Sequence, residues 1–450
     1  MAHYDVIILG GGPAGEHCAG ELAKAGKRVA IVERELVGGE CSFWACMPSK
    51  TLLRPGEALM DARRAPGAAE TITGDLDVAS ALEWRDYMVS SYSDAGQVKW
   101  ASENGIDVIR GEGRIVAPGT IEVGGKTHTA EDIVIATGSE PVIPPIDGLR
   151  ELDGVWTNRE ATGLKQEELP ARLLVLGGGP VGVEMAQALR RMGSSVALGE
   201  GAEHLLAREP RPLGEALGEA VAAEGIELHF GQFASRARRE GDDFVLEFPD
   251  GKVLKGDRLL VATGRKPRIE GLGLENAGIE PGKHGIEVDA HMSAGDGLWA
   301  IGDATGVWPL TYVGKYQGRV AAANILGHGA EANYEAVPRV VFTDPQAAAV
   351  GESEGEVTAT VSLDSVPRMS TYYREYEHAG FLTLVSDGER LTGAYALGPQ
   401  AGEWLGQATL AIRARVPLAV LKDTIQPFPT FSEIYLHAMQ EMTASVPTAA

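Results

Sequence analysis

The sequence of 450 residues predicts an α/β protein with two Rossmann-like dinucleotide-binding domains in tandem and a separate C-terminal α+β domain. The first of three supporting observations is a glycine-rich turn between an apolar strand and a helix near the N-terminus. The second is the recurrence of this unit 167 residues later, from Gly10 to Gly177. The third is a change at Val337, after which strand and helix patterns continue without a nucleotide-binding signature.

The first unit consists of a strand over Tyr4–Leu9, a glycine turn, a helix and a second strand that ends at Glu33. Its glycines fit G-x-G-x-x-G, in which the first allows the turn, the second lets a pyrophosphate approach and the third lets helix and strand pack closely. The glutamate is placed to accept hydrogen bonds from a ribose. The nucleotide-binding positions predicted here are Gly10, Gly12, Pro13, Ala14, Gly15 and Glu33.

The second unit repeats the first with a constant offset, so that Glu200 corresponds to Glu33. A shorter repeat accompanies it, because Ile133–Gly138 resembles Leu259–Gly264. Two tandem nucleotide-binding domains are the simplest explanation, with one dinucleotide held tightly and one exchanging. The positions predicted from these repeats are Gly177, Gly179, Gly182, Glu200, Ala136, Thr137, Gly138 and Gly264.

The segments between these units have their own patterns. Helical periodicity over 55–105 is followed by short strands up to Ile133, with a hairpin turn at Gly124–Gly125. A later strand ends in Gly302 and Asp303. Asp303 can bind a ribityl chain or cap a helix predicted over 312–326, and the residues alone favour neither role.

Two of the three cysteines, Cys41 and Cys46, are separated by four residues and followed by Pro48. Such a pair can form a disulfide, supply half of a metal site or pack as small buried side chains. No second cysteine pair or Cys/His cluster completes a zinc site, so no metal is expected. Pro48 suits the first turn of a helix, whose positive end favours a thiolate. The pattern therefore favours a redox-active disulfide, and Cys18 is expected to be a core residue.

The composition restricts the partners. Apolar residues make up 44% and charged residues 23% of a chain whose net charge of -23 argues against nucleic acid and anionic membranes. No apolar run has the length of a membrane span, and the N-terminus leads into a strand without a signal peptide. We expect a cytoplasmic enzyme in which a single cysteine pair serves redox catalysis.

With these motifs, the whole chain resembles the pyridine nucleotide–disulfide oxidoreductases, the family of dihydrolipoamide dehydrogenase, glutathione reductase and mercuric reductase. The resemblance implies FAD on the first domain, a nicotinamide nucleotide on the second and a homodimer formed through the third. It implies an FAD-binding domain over residues 1–147 and 268–335, an NAD(P)-binding domain over 148–267 and a dimerisation domain over 336–450.

The resemblance also implies roles for individual residues. Cys41 matches the outer cysteine, which exchanges with substrate, and Cys46 matches the one that faces the flavin. Lys50 and Glu184 match a lysine–glutamate pair beside the flavin, where the ammonium would stabilise the reduced ring. The further cofactor-binding positions expected on this basis are Gly39, Lys50, Gly302 and Asp303.

The chain departs from the family near its C-terminus, where the family has His-Pro-Thr-x-x-Glu. Phe428 stands at the histidine position, followed by Pro429, Thr430 and Glu433. Phenylalanine cannot transfer a proton, so ordinary lipoamide or glutathione activity is not expected. Glu433 remains a catalytic candidate, although with Thr430 it also fits a capping box. Phe428 and Trp44 are candidates for the wall of an unusual substrate site.

The residues around Glu200 favour NAD over NADP. A carboxylate accepts from both ribose hydroxyls and repels a 2′-phosphate. Gly201 and Ala202 follow it, and Arg208 is the nearest arginine, which leaves NADP open.

The leading functional hypothesis is an FAD enzyme whose cysteine pair exchanges electrons between NAD(P)H and a thiol or disulfide substrate. The alternatives are an FAD-dependent dithiol oxidase that uses oxygen and an NAD(P)H:quinone or dye reductase in which the cysteines are dispensable. A non-catalytic dimeric scaffold that retains nucleotide binding belongs to a different class, and a colourless purified protein would favour it.

Overall fold

The computed structural model describes residues 2–374 and 380–445, with backbone alone for 443–445. These residues form two compact units. Unit 1 combines the described parts of 1–48, 83–142 and 264–333, and unit 2 combines those of 49–82, 143–263 and 334–450.

Strands and helices alternate over most of the described chain. The strands are β1 Ala2–Leu9, β2 Val29–Glu33, β3 Asp107–Arg110, β4 Gly113–Ala117, β5 Thr120–Val123, β6 Lys126–Ile135, β7 Ser139–Pro141, β8 Arg172–Leu176, β9 Ser195–Gly199, β10 Glu227–His229, β11 Arg236–Glu240, β12 Asp243–Glu247, β13 Val253–Gly256, β14 Arg258–Val261, β15 Arg265–Pro267, β16 Ser293–Gly295, β17 Leu298–Ala300, β18 Arg339–Val341, β19 Gln346–Gly351, β20 Val357–Ser362, β21 Phe381–Ser386 and β22 Leu391–Gly398. The helices are α1 Pro13–Lys24, α2 Gly39–Phe43, α3 Cys46–Arg64, α4 Val78–Met88, α5 Ala95–Glu103, α6 Asn158–Gly163, α7 Pro180–Arg191, α8 Arg211–Ala223, α9 Thr311–Ile325, α10 Pro367–Tyr372, α11 Ala401–Trp404, α12 Gly406–Arg413, α13 Leu418–Lys422 and α14 Ile434–Ser445.

Unit 1 is built on a sheet with the strand order β16-β17-β6-β1-β2-β3, from which the β4–β5 hairpin extends beside β6. Strand β1 runs parallel to β2 and β6, and Leu9 lies opposite both Val32 and Ile135. The carboxyl ends of these three strands therefore meet at one edge, where an open α/β sheet binds ligands. The apolar runs of β1 and β2 are buried, as expected for strands covered on both faces.

Unit 2 contains a second parallel sheet with the order β10-β9-β8-β14. Leu176 lies opposite both Gly199 and Val261, so the strand ends again meet at one edge. A three-stranded antiparallel sheet, β11-β12-β13, belongs to the same unit. After residue 336 an antiparallel sheet, β18-β19-β22-β21-β20, packs with α11, α12 and α14 around an apolar core.

The predicted fold class is confirmed. Both βαβ units form within one or two residues of their predicted limits, and the hairpin at Gly124–Gly125 connects β5 to β6 with φ angles of 55° and 74°. These angles suit the primed turns that join twisted antiparallel strands. The helix predicted over 312–326 is observed at Thr311–Ile325, and Cys18 is fully buried, as expected.

Candidate active site and nucleotide-binding turns

The first glycine turn follows β1 and leads into α1. Gly10 has a φ of 111°, and a Cβ there would lie 2.3 Å from the carbonyl oxygen of Ala136. A Cβ at Gly15 would lie 2.1 Å from the carbonyl oxygen of Gly10. At Gly12, by contrast, a Cβ would meet no protein atom within 4 Å. Two of these glycines therefore serve internal packing, while Gly12 leaves room for a ligand at the positive end of the helix that starts with Pro13.

The carboxylate of Glu33 is fixed beside this turn. It accepts hydrogen bonds from the backbone N–H groups of Gly11, at 2.8 Å, and Glu35, at 2.7 Å. The chain then returns to the turn, because Gly38 N donates to Gly11 O at 2.7 Å. Gly39 lies so close that its Cβ would be 2.9 Å from Gly12 Cα. The geometry suits a ribose at the carboxylate and a pyrophosphate at the turn.

The second glycine turn reproduces this geometry in unit 2. Gly177 also has a φ of 111°, and its Cβ would lie 2.5 Å from Ala262 O. A Cβ at Gly182 would lie 1.9 Å from Gly177 O, and one at Gly179 would meet no protein atom within 4 Å. Glu200 accepts from Gly178 N at 2.6 Å and from Ala202 N at 2.8 Å. The repeat in sequence is therefore a repeat in site geometry.

The A-T-G segments follow β6 and β14 directly in sequence. Thr137 donates its hydroxyl to Arg268 O at 2.7 Å, and Gly138 has a φ of 74°. Gly264 has a φ of 128°, and its carbonyl accepts from Val142 N at 3.0 Å. Gly264 belongs to unit 1, whereas the second glycine turn belongs to unit 2.

Asp303 lies at the end of the strand that contains β17, immediately after Gly302. Ser139 donates its hydroxyl to the Asp303 carboxylate at 2.5 Å, and Arg265 Nε donates to the same Ser139 oxygen at 2.8 Å. Helix α9 begins eight residues later with Leu310 at its N-cap. The capping role considered for Asp303 is therefore wrong, and its carboxylate is held at the sheet edge instead.

The cysteine pair spans two helices. Cys41 lies in α2 and Cys46 is the first residue of α3, so Pro48 is in the first turn as predicted. Both side chains are half-buried thiols, and the Cys46 side chain is close enough to act on the pKa of Cys41. The pKa of Cys41 is raised, first by the hydrogen bond to Cys46 and then by burial, while Thr311 and the positive charge of Lys315 act in the opposite direction. The structure therefore brings together the two cysteines that the sequence singled out.

Sequence reasoning missed Thr311 and Lys315. Thr311 begins α9, and its Oγ1 lies 3.2 Å from Cys46 Sγ. Lys315 is one turn further along the same helix, on the same face. Because Thr311 is 265 positions from Cys46 in sequence and Lys315 is further still, no local motif indicates that they lie near the cysteines.

Lys50 and Glu184 form an ion pair within unit 2. Lys50 Nζ lies 2.7 Å and 3.0 Å from the two carboxylate oxygens of Glu184, which is 4% exposed. Phe342 donates its backbone N–H to the same carboxylate at 3.0 Å, and its ring centroid lies 4.7 Å from the ammonium. The predicted pairing is therefore present, and the Glu184 carboxylate has both a cation and an N–H donor.

The substrate-wall candidates lie in different units. Trp44 caps the C-terminus of α2, and its ring centroid is 5.7 Å from that of Phe43 and 6.4 Å from that of Tyr92. Phe428 is 71% exposed.

The capping box considered for Thr430 and Glu433 is wrong. Thr430 donates its hydroxyl to Pro427 O at 2.8 Å, and it makes no side-chain bond to the following turn. Glu433 lies at the end of a short 3₁₀ turn before α14, with Oε2 buried and without a hydrogen-bond partner. His437, one turn further on, is bonded to Ser365 at 3.0 Å.

Over 2–374 and 380–445, no helix is long and apolar enough to cross a membrane. Within the same ranges, no group of three or more His, Cys, Asp or Glu side chains is arranged to hold a metal.

Comparison with known proteins identifies the family. The model of the pyridine nucleotide-disulphide oxidoreductases matches residues 4–318, and the model of their dimerisation domain matches residues 337–439. The chain belongs to this family. Its members are flavin-dependent enzymes that use a pyridine nucleotide, and the C-terminal match supplies a domain for homodimer formation.

Several pyridine nucleotide-disulphide oxidoreductases match over almost the whole chain. The dihydrolipoyl dehydrogenase of Thermus scotoductus is 35% identical over 98% of each chain. The mercuric reductase of Staphylococcus aureus is 33% identical over 96% of this chain and 81% of its own. Among solved structures, the Cu(II) complex of the HOCl-induced flavoprotein disulfide reductase RclA from Escherichia coli superposes with a TM-score of 0.85 and 27% identity, over 98% of this chain and 99% of that one.

The residues of unit 1 fit the FAD that this family uses. Gly12 leaves open space beside the N-terminus of α1, and Glu33 is fixed one strand away at the same sheet edge. Asp303 follows β17, which pairs with β6 in the same sheet. These are groups suited to a pyrophosphate, a ribose and a ribityl chain, respectively.

Proposed function

We propose that the protein is an NAD(P)H-linked FAD enzyme in which Cys41 and Cys46 exchange two electrons with a thiol or disulfide substrate other than lipoamide or glutathione. The observation that carries this proposal is the neighbouring pair of thiols, with Cys41 in α2 and Cys46 at the start of α3. In this proposal residues 1–147 and 268–335 bind FAD, 148–267 bind the nicotinamide nucleotide and 336–450 form the dimer.

The chemistry of the pair balances without another reactant. The Cys41 thiolate attacks a substrate disulfide, forming a mixed disulfide and releasing one substrate thiolate. Cys46 then attacks the Cys41 sulfur, so that the Cys41–Cys46 disulfide forms and the second substrate thiolate leaves. FAD, when bound, supplies two-electron transfer between the nucleotide and this disulfide.

The choice of substrate class follows from Phe428. A phenyl ring at the family's histidine position cannot take the proton of the exchanging thiol, and loss of such a group typically costs about 10²- to 10⁴-fold. Thr311, near Cys46, and Lys315, whose charge acts on Cys41, are the groups of unit 1 that favour the thiolate instead. Trp44 and the exposed ring of Phe428 favour a substrate with apolar or aromatic surface.

The proposed nucleotide is NAD rather than NADP. The Glu200 carboxylate is fixed by two backbone N–H groups at the end of β9, where it would accept from ribose hydroxyls and repel a 2′-phosphate. The Lys50–Glu184 pair is proposed to place its ammonium beside the flavin, where a cation stabilises the reduced ring. Glu433 remains a candidate for proton transfer.

A count of thiols tests the function. Cys18 is fully buried and remains a thiol throughout, so oxidised protein unfolded without oxygen should show about one thiol per chain. After one equivalent of NADH it should show about three, because two electrons open the disulfide. NADPH in parallel should act more slowly.

The control is Cys46→Ser, in which the count should stay at two before and after NADH. If NADH reduces the flavin of the wild type while the count stays at one and quinones are turned over, the quinone-reductase alternative replaces the proposal. If small dithiols reduce the protein but neither nucleotide does, the dithiol oxidase replaces it.

A further inference from the structure

Phe233 is a large apolar side chain that the fold leaves outside its cores. It lies in the loop between β10 and β11 of unit 2, and 76% of it is exposed. An exposed phenyl ring contributes nothing to the burial that stabilises a fold. Single exposed apolar side chains are common on protein surfaces, so the significance of this ring depends on its position at the sheet edge.

The ring rests on the residue that follows the ribose-binding acid. Its Cε1, Cδ1 and Cζ atoms lie 2.2, 2.4 and 2.5 Å from the position that a Cβ would have at Gly201. Gly201 comes directly after Glu200 at the end of β9. A side chain at position 201 would therefore displace the ring, and glycine lets it lie against the backbone.

Backbone hydrogen bonds hold the loop in this place. Glu200 N donates to His229 O at 2.8 Å, and Gly231 N donates to Ala202 O at 2.9 Å. The loop that carries Phe233 is thus connected to both sides of Gly201. These hydrogen bonds at the sheet edge therefore fix the position of the loop that carries the ring.

The covalent structure of a dinucleotide indicates which part of it would lie beside Gly201. In this fold the acid at the end of the second strand binds the ribose of the adenosine half, and the adenine is attached to the same ribose. Because Gly201 follows Glu200, a ring on Gly201 is within reach of that base. Base–aromatic stacking contributes about 1–3 kcal/mol per base.

We propose that Phe233 is the stacking wall for the adenine of the nicotinamide nucleotide, and that Gly201 is required for the ring to lie there. This inference rests on the proposed nucleotide-binding role of Gly177–Glu200. The first repeat has no counterpart, because Arg34 occupies the position that corresponds to Gly201 and pairs with Glu112 at 3.3 Å.

The experiment measures binding of ADP-ribose to the oxidised, FAD-loaded protein by calorimetry. Phe233→Ala should weaken ADP-ribose about 5- to 100-fold, while Phe233→Tyr should stay within about twofold of the wild type. Reduced nicotinamide mononucleotide, which lacks the adenosine half, should reduce wild type and Phe233→Ala at equal rates. Phe230→Ala is the matched control, because the Phe230 ring lies 3.7 Å from the Cβ position of Gly218 in α8, away from Gly201.

A double-mutant cycle that combines Gly201→Ala with Phe233→Ala separates loss of stacking from a general effect of either substitution on folding. Gly201→Ala should weaken ADP-ribose in the wild type and add little to Phe233→Ala, because both remove the same ring position. An unchanged ADP-ribose affinity in folded Phe233→Ala, or fully additive effects, would overturn the inference while leaving the proposed function intact. A wild type that binds no ADP-ribose and is not reduced by NADH would overturn both.

Discussion

The two glycine turns of this protein have the same backbone and different surroundings. Both open with a glycine at a φ of 111°, both pack it against an alanine carbonyl, and both fix a glutamate with two N–H groups. The backbone alone therefore cannot decide which nucleotide each turn binds. The side chains around each turn must do so.

The differences begin in the segments that follow the two shared glutamates. Gly39 and Leu206 are separated by the same offset of 167 and have similar φ angles of 57° and 53°, but Gly39 approaches Gly12 whereas Leu206 adds a buried side chain. Glu16 in the first helix corresponds to the buried Val183 in the second. The first turn is therefore packed against the segment that carries the cysteines, whereas the second turn is packed against buried apolar side chains.

The largest effect is expected when the glycine that faces the ligand gains a methyl group. Gly12 and Gly179 both have a φ of -76° and extended backbone, which alanine adopts freely, and neither Cβ would meet a protein atom. Gly12→Ala should therefore fold and lose FAD affinity about 10- to 100-fold, because a displaced pyrophosphate loses charge-assisted hydrogen bonds. Gly179→Ala should retain FAD and lose NADH affinity by a similar factor.

Flavin content and the dissociation constant for ADP-ribose measure the two losses separately. Gly10→Ala is the contrasting variant, because its Cβ would lie 2.3 Å from Ala136 O and should destabilise the whole domain. If Gly12→Ala weakened only ADP-ribose binding, the assignment of the two turns would have to be exchanged.

A smaller effect is expected on the pH dependence of stability, because α1 has a partly buried glutamate, Glu16, where α7 has Val183. Burial raises the pKa of Glu16 to about 7, with Lys315 opposing the shift and Glu33 adding to it. The folded protein therefore holds a proton that the unfolded chain releases above its ordinary pKa of 4.5, and stability falls as the pH rises from there through 7. Glu16→Gln should raise the free energy of unfolding relative to the wild type by about 1–3 kcal/mol at pH 8.

Urea unfolding at pH 4, 6 and 8 measures this difference. It should be near zero at pH 4, where both side chains are neutral, and should grow with pH. Glu21→Gln on the same helix is the control, because its partly exposed carboxylate pairs with Lys24. A Glu16→Gln effect that was the same at every pH would show that burial does not raise the pKa of Glu16.

The smallest effect concerns the cysteine pair that follows the first turn. Thr311 and Lys315 both lower the pKa of Cys41 against the opposing effects of Cys46 and burial. Thr311→Val or Lys315→Met should therefore raise this pKa further and slow alkylation of the reduced protein about two- to tenfold at a pH below it. Alkylation rates over a pH series, with the modified peptides quantified by mass, measure the shift.

Lys315→Arg should restore the wild-type rate, since it keeps the charge. Lys99→Met, at an exposed position of the same unit, should leave the rate unchanged. An unaltered alkylation profile in both Thr311→Val and Lys315→Met would show that α9 does not influence the thiols.

Most of the fold could be predicted because its signals are local or periodic. The nucleotide-binding turn is predicted by three glycines within six residues, Gly10, Gly12 and Gly15. The same motif recurs 167 residues later and predicts a second turn. The family match over 4–318 and 337–439 confirms the fold class that these patterns indicated. Pro48 likewise predicted a helix directly after the cysteine pair, and α3 begins at Cys46.

Local sequence alone could not decide the partners of two polar side chains. Asp303 was a candidate helix cap, but Ser139 reaches it from 164 positions away. Thr430 had the spacing of a capping box, yet its hydroxyl turns back to Pro427. Phe233 gave no signal at all, because an exposed phenylalanine in a loop has neither periodicity nor a motif.

The start of two helices at one sulfur has a thermodynamic consequence. Helix α3 begins at Cys46 and α9 begins at Thr311, whose hydroxyl lies 3.2 Å from that sulfur. Each helix end stabilises a nearby negative charge by about 0.3–1 kcal/mol, and about 1.4 kcal/mol corresponds to 30 mV for a two-electron couple. The reduction potential of the pair should therefore be roughly 10–40 mV higher than that of the same dithiol away from helix ends. A disulfide with a higher potential is reduced more easily.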